Sequence, residues 1–324
     1  MTEIRWGIIG GGDVCERKGG PPLYGVPGSR LIGVTRRDRA KGEDYARRHG
    51  PCHYYDSYEA LLEDREINAI YIATPPELHV ENTVAAAAAG KHVLCEKPMA
   101  MDARKCRRMV GACRDAGVVL AVAFYRRCYP SVLRAKELIE RGSPGPLQTI
   151  HINDQFPPSH RLDLIHFFAG DIATICLDER PLVAGSHAEH GAYFTAISRS
   201  GVTAEMNVGW HETGEPETIE CICSDGEIII DDLKGGSLVV HTGGRATRET
   251  FPPLPATHWG IVQNFVGHFR DGRPLACDGE EGRKSSVILD FVSATPHDGR
   301  EVEIDYEYPP EMERLKAECL RLLE

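Results

Sequence analysis

Nothing in the sequence approaches the length of apolar segment that crosses a bilayer, and no basic stretch followed by an apolar run opens the chain. Residues from Ile4 onward already have a strand pattern, so no membrane partner and a cytoplasmic location are expected. Basic charge is in short supply. Lys and Arg number 37 against 48 Asp and Glu, a formal net charge of −11, and no Lys/Arg stripe with interleaved aromatics compensates. Such a chain repels a phosphate backbone, and nucleic acid is not an expected partner. Cysteine is present, but not as a framework. The eleven thiols are odd in number and scattered from Cys15 to Cys319, and the closest pair, Cys221 and Cys223, lacks a second pair to complete a tetrahedral metal site. His187 and His190 have no companion carboxylates at ligand spacing. Reduced thiols and no metal are expected.

A length of 324 residues is about twice that of a common domain, and 42% hydrophobic residues supply ample core for two. From Ile4 to about Val122, short apolar runs alternate with amphipathic stretches, the pattern of parallel strands joined by helices. The predicted strands are Arg5–Ile9, Arg30–Thr35, Ala69–Ala73, His92–Cys95 and Val118–Ala123. The predicted helices are Ala40–His49, Ser57–Glu63, Glu77–Ala89 and Asp102–Ala116, several followed by a glycine stop at Gly50, Gly90 or Gly117. These features predict a doubly wound, dinucleotide-binding Rossmann domain over residues 1–123. Beyond Tyr125 a helix (Ser131–Glu140), a strand (Leu147–Asn153) and a helix (His160–Phe168) are followed by consecutive strands. These are Leu182–His187, Ala192–Ser198, Thr203–Val208, Thr218–Cys223, Glu227–Asp231 and Leu238–His241. Helices return at Trp259–Phe269, Gly282–Ser293 and Pro310–Leu323. Strands without intervening helices predict an α+β domain over 124–324 with a large, mostly antiparallel open sheet.

The first strand runs into Gly10-Gly11-Gly12-Asp13-Val14-Cys15, where glycine permits a tight turn and close approach of a pyrophosphate to the following helix N-terminus. Cys15 replaces the third glycine of the G-x-G-x-x-G pattern. The second strand ends in Val34-Thr35-Arg36-Arg37, with no acid for a ribose 2′-hydroxyl. A hydroxyl and two guanidiniums there favour the 2′-phosphate of NADP, with NAD possible, unless both arginines are merely solvated helix-entry charges. The third long strand gives way to Thr74-Pro75, with His79 either facing the nicotinamide ribose or serving as an ordinary first-turn residue. The most informative segment is Glu96-Lys97-Pro98 at the end of the His92–Cys95 strand. A lysine there can move the proton of a substrate hydroxyl while Glu96 eases the holding of its ammonium; by itself such a pair can also be a plain surface ion pair.

Together these motifs, with Arg126-Arg127…Pro130 and Gly142-Ser-Pro-Gly145, resemble the Gfo/Idh/MocA family of glucose-fructose oxidoreductase and inositol dehydrogenase relatives over nearly the whole chain. The resemblance implies that Lys97 is the catalytic lysine. It also implies an open sheet that forms a homodimer or homotetramer interface. His160 takes the place of the family's catalytic histidine, with Asp163 after it; the acid that usually precedes it is absent, Phe156 standing there, and the intervening loop is shortened to Phe156-Pro157-Pro158. Asp154 is a candidate substitute. His166 is off the motif and expected to pack. Tyr125, Arg126 and Trp259 are expected at the substrate pocket by position, although each also suits a packing role.

The expected activity is hydride transfer between NADP and a hydroxyl or keto carbon of a small-molecule sugar, cyclitol or similar ring. Two rivals remain at this stage: a glycoside-cleaving enzyme with transient oxidation and no net redox change, and a non-catalytic dinucleotide-binding regulator, suggested by the missing acid and loop.

Overall fold

The computed structural model describes residues 3–50, 52–153, 158–180, 191–208, 218–233, 236–312 and 314–315. The chain divides into two units, one of Met1–Cys128 with Leu254–Ser286 and one of Tyr129–Pro253 with Val287–Glu324.

In the first unit the elements run β1 (Ile4–Ile9), α1 (Gly20–Gly25), β2 (Ser29–Thr35), α2 (Arg39–Arg48), β3 (His53–Tyr55) and α3 (Tyr58–Glu63). They continue as β4 (Ala69–Ile72), α4 (His79–Ala88), β5 (His92–Cys95), α5 (Ala103–Asp115) and β6 (Leu120–Val122). All pairings are parallel, in the order β3-β2-β1-β4-β5-β6, so the strand order reverses between β1 and β4. Every residue of β4 is buried, as a sheet covered on both faces requires. Register levels the carboxyl edge: Ile9 lies opposite both Thr35 and Ile72, and Ile72 opposite Cys95. Gly10, Arg36, Ala73 and Glu96 therefore leave the sheet side by side. Asp38, Ser57 and Asp102 cap α2, α3 and α5 by accepting the backbone N–H three residues on.

The second unit contains α6 (Pro130–Glu140), β7 (Leu147–Asn153), α7 (Pro158–Ala169), β8 (Ile172–Arg180) and β9 (Gly191–Ser198). There follow β10 (Thr203–Val208), β11 (Thr218–Cys223), β12 (Gly226–Asp232), β13 (Ser237–Thr242) and β14 (Arg245–Thr250). Next along the chain are α8 (Trp259–Asp271), which belongs to the first unit, then α9 (Gly279–Ala294) and β15 (Asp298–Glu303). Among the described residues the sheet has nine strands in the order β14-β13-β12-β11-β7-β10-β9-β8-β15. Every pairing is antiparallel except β7 with β10. Ile150, Ile152, Ala204, Ile219, Cys221, Ile228 and Ile230 are buried on one face, while His151, Glu205 and Glu220 stand half-exposed on the other. The mostly antiparallel expectation holds.

Several expectations shift. A continuous second domain from residue 124 is not what forms, because 254–286 returns to the Rossmann unit. Ile261, Val262, Phe265 and Val266 of α8 are buried, Phe265 lies 4.9 Å from Trp6, and Cys277 O accepts the Val122 N–H at 3.0 Å. Strands β3, β8, β14 and β15 were unexpected. β3 is only three residues, and β14 and β15 are edge strands that are mostly exposed, so neither shows an alternating apolar pattern. The expected strand over 182–187 lies outside the described residues, as does most of the helix over 310–323. No helix among the described residues is long and apolar enough to cross a membrane.

The turn after β1 is fastened to α2. Glu16 accepts hydrogen bonds from Arg48 at 2.5 Å and 3.0 Å, with His49 Nε2 at 3.1 Å. The Arg48 guanidinium, helped by His49, holds the Glu16 carboxyl down at about 2. A depressed carboxylate stabilises the fold above its unfolded value and loses that contribution as pH falls towards the folded one. Glu16→Gln is thus expected to lower the denaturation midpoint at pH 7, with the gap narrowing steadily below about pH 4.5; urea titrations at several pH values check it, and equal midpoints at pH 7 refute it.

Candidate active site

Gly10 leaves β1 with φ +97° and donates its N–H to Thr35 O at 3.0 Å. A Cβ there would stand 2.7 Å from Thr74 N and 2.8 Å from Ala73 C and O, backbone that has no room to yield. Gly12 N–H turns back to Gly10 O at 2.5 Å. At the third-glycine position Cys15 is fully buried, and burial pushes its thiol far up. Close approach has moved on to Gly19 and Gly20, where a Cβ would meet Tyr71 Oη at 2.0 Å and Cys15 O at 2.1 Å respectively. Sequence reasoning missed this pair; its signal is two adjacent glycines just before Pro21-Pro22. Val14 is half-buried, and exposed Asp13 pairs with Arg17 at 2.7 Å.

A cleft of about 600 Å³ opens at the carboxyl edge, lined by Gly10, Thr35, Arg36, Arg37, Thr74 and Pro75 among others. Ser57, Tyr58, Leu78 and Asn82 also line it and were not foreseen; they arrive from α3, α4 and the turn before α4, distant in sequence from the strand ends. Arg36 Nη1 donates to Gly11 O at 2.7 Å, tying β2 to the glycine turn. Arg37 is exposed and makes no hydrogen bond or ion pair with the described residues. The strand end proper carries no acid, but Asp38 follows within the lining. Its carboxylate caps α2, accepting the Lys41 N–H at 3.1 Å, which holds it below the ordinary aspartate value. Asp56, also in the lining, pairs with Arg39 at 2.6 Å.

His79 is buried, and the structure turns its ring to backbone: Nε2 faces Thr74 O at 2.8 Å and Nδ1 faces Pro98 O at 3.0 Å. The ring thus links the Thr74-Pro75 turn to the Lys97-Pro98 turn. Thr74 Oγ1 is bound to Asn82 Oδ1 at 3.0 Å.

Glu96 and Lys97 do not form the ion pair that the sequence suggested. The buried Glu96 carboxylate accepts Tyr71 Oη and His258 Nε2 (2.7 Å) on Oε1 and the Lys97 N–H (3.2 Å) on Oε2; among the described residues no ion pair reaches it from Lys97 Nζ. Burial opposes the charge, yet His258, Tyr71 and the Lys97 amide outweigh it and keep Glu96 below the ordinary glutamate value. Lys97 is half-buried. Burial pulls its ammonium below the ordinary lysine value, Lys18 and Arg126 add to this, and Glu96 pulls the other way. His258, at the start of α8, was not foreseen. Tyr125 is buried with its ring 4.5 Å from that of His258, and Arg126 is fully buried. Trp259 packs on α1, since a Cβ at Gly25 would lie 2.8 Å from its Cζ3.

In the second unit, His160 and Asp163 are buried one turn apart at the start of α7. His166 closes the same helix, with Nδ1 3.1 Å from Gly170 O. Residues 154–157, 187 and 190 lie outside the described residues, so neither the Asp154 substitution nor the shortened loop is seen.

Residues 4–124 match the model of the Gfo/Idh/MocA oxidoreductase family with NAD-binding Rossmann fold. Oxidoreductase P35 of Formosa agariphila is 34% identical over 235 residues, which cover 72% of this chain and 68% of that protein. The chain belongs to this family. D-xylose 1-dehydrogenase (NADP(+)) 2 of Haloferax volcanii is 28% identical over 84% of this chain and 91% of that protein. Several other relatives match over less than half of their own length. Among solved structures, an Agrobacterium radiobacter oxidoreductase in complex with NAD+, L-tartaric acid and magnesium superimposes with a TM-score of 0.80 at 21% identity, over 93% of this chain and 98% of that one. This family member therefore shares their fold, a Rossmann sheet followed by a large, mostly antiparallel sheet.

Gly10→Ala should be costly, because a left-handed backbone costs an L-residue roughly 1–2 kcal/mol before any steric overlap is added. Denaturant titration is expected to show a loss of about 2 kcal/mol or more. Gly111→Ala in α5, where a Cβ meets nothing within 4 Å, is the control and should gain about 0.5–1 kcal/mol. Equal stability of Gly10→Ala and the parent chain would refute the close approach.

Proposed function

We propose that the chain is an NADP-preferring dehydrogenase or reductase that moves hydride to or from a hydroxyl or keto carbon of a sugar, cyclitol or similar ring. One observation carries this reading: the glycine turn, the cleft and the Lys97 turn leave one level sheet edge, the place where a dinucleotide would meet all three. The residues fit such a cofactor. The turn at Gly10 and Gly12 leads straight into the amides of Asp13 and Val14 at the start of the next helical turn, N–H donors of the kind that hold a diphosphate. Thr35 and Arg37 suit the adenosine end, where the guanidinium of Arg37, without a partner among the described residues, is a phosphate donor, while Arg36 holds the turn. Thr74, Pro75, His79 and Glu96 shape the other end. When bound, the nicotinamide supplies or receives the hydride. Lys97 holds or takes the proton of the substrate hydroxyl, and His160 is a second proton-transfer group. Tyr125, Arg126, Asp163 and Trp259 are read as substrate-side residues.

Family membership and the dehydrogenase names of the relatives favour net redox over glycoside cleavage or a purely regulatory role. The half-exposed face around His151, Glu205 and Glu220 is read as the contact between copies in a dimer or tetramer. Cysteines that form no disulfide among the described residues suit a reducing, cytoplasmic compartment.

NADP is expected to raise the Tm more than NAD at equal concentration, and Arg37→Ser to abolish the difference, since preferential binding to the native state must stabilise it. Equal shifts in the parent chain would reject the NADP preference. Lys97→Ala should leave dinucleotide affinity within a few-fold and cut turnover about 10²-fold or more, on whichever sugar or cyclitol a screen returns. Unchanged turnover would remove Lys97 from the reaction.

A further inference from the structure

We infer that Tyr71 and His258 are positioning residues for Lys97, acting through Glu96: they hold its carboxylate ionised and fixed beneath the lysine turn and so set the pH at which Lys97 releases its proton. The inference rests on the proposed role of Lys97 for its functional meaning. Three donors converge on two carboxylate oxygens. Oε1 takes both the Tyr71 hydroxyl and His258 Nε2, at 2.7 Å, and Oε2 takes the Lys97 N–H at 3.2 Å. The Lys97 amide can only donate, and with the proton of His258 on Nε2 both that ring and the Tyr71 hydroxyl donate to Oε1, an arrangement that favours the carboxylate and agrees with a Glu96 held below the ordinary glutamate value. Among the described residues the His258 ring makes no second hydrogen bond. Its Nδ1 is buried without a partner among the described residues, and its ring rests against that of Tyr125. The bond from position 258 to position 96 crosses 162 residues of sequence, and the whole network lies within the Rossmann unit.

The charges around the pair give this device its effect. Lys97 is faced by Lys18, from the turn after the glycines, and by Arg126; both cations favour loss of its proton, as does burial. Glu96 supplies the opposing negative charge. The thiols of Cys15 and Cys95 also face Glu96, and burial together with its charge keeps both neutral. Removing the His258 donor leaves a buried carboxylate less well held, and a proton on Glu96 relieves that. The cations and the burial then act on Lys97 unopposed, which moves its titration to lower pH.

The test titrates Lys97 itself in the full chain, without dinucleotide or substrate. Acetic anhydride labelling across a pH series, with mass spectrometry of the peptide that carries Lys97, reports the midpoint. His258→Phe is expected to lower that midpoint by about one pH unit, the scale of losing one neighbouring opposite charge. His258→Gln, whose amide N–H is placed to reach Glu96 as Nε2 does, should restore it to within a few tenths. Tyr71→Phe, which removes only a hydroxyl, should shift it in the same direction as His258→Phe and carries the test if that variant does not accumulate. A merely structural role would change stability and leave the midpoint alone, so equal midpoints in the parent chain and these variants overturn the inference. Because the readout needs no turnover, such a failure is distinct from unchanged turnover in Lys97→Ala.

Discussion

The approach of two backbones at the switch point governs the arrangement of the site. Where strand order reverses, the chain leaving β1 at Gly10 passes so close to the chain leaving β4 at Ala73 and Thr74 that only a hydrogen fits between them. That contact fixes one wall of the cleft, and polar ties then run outward from it. Arg36 carries the order of the glycine turn to β2 through Gly11 O. His79 carries it the other way, from Thr74 O to Pro98 O, so the lysine turn at the end of β5 is referenced to the same crossing. A dinucleotide-sized ligand needs several separate strand ends to hold one relative position, and this chain of contacts supplies it.

How much of this was readable from the sequence depended on whether the information was local. β1, β2 and β5 are near-continuous apolar runs, and helices α2, α3 and α5 begin at Asp or Ser caps, so their places could be inferred from neighbours along the chain. β14 and β15 were invisible for a physical reason: edge strands such as Arg245–Thr250 and Asp298–Glu303, exposed along most of their length, have no buried face to impose alternation. The glycine turn and Glu96-Lys97-Pro98 were legible because each needs particular residue types at adjacent positions. The partner of Glu96 was not. His258 reaches it only because α8 folds back onto the Rossmann unit, and a relation between residues so far apart in the chain leaves no spacing to read.

The start of α8 shows what sequence position leaves out. It offered Trp259 as a pocket or a packing residue, and one edge of its ring packs on Gly25, where glycine makes the room. The adjacent side chain, His258, is the one that meets the charged turn. A similar exchange occurs after β1. Cys15 fills the place of a glycine without loss of close packing, because Gly19 and Gly20 take over the approach to Tyr71 and to the Cys15 carbonyl. Tyr71 in turn spends its hydroxyl on Glu96, so the altered fingerprint and the lysine turn share one fully buried ring.

The cleft is decided by commitments rather than by composition. It contains acids as well as arginines, and an inventory alone would leave the choice between a ribose hydroxyl and a phosphate balanced. Asp38 already accepts the Lys41 N–H at the N-terminus of α2 and Asp56 already pairs with Arg39, so each acid of the lining has a partner before a ribose arrives. Arg36 is likewise engaged, on Gly11 O. Arg37 is the basic group in the lining with no partner among the described residues, and an unpaired guanidinium at a strand's carboxyl end gains most from a ligand that brings two negative charges to it. The proposed preference for the phosphorylated dinucleotide therefore follows from which side chains the fold has already used.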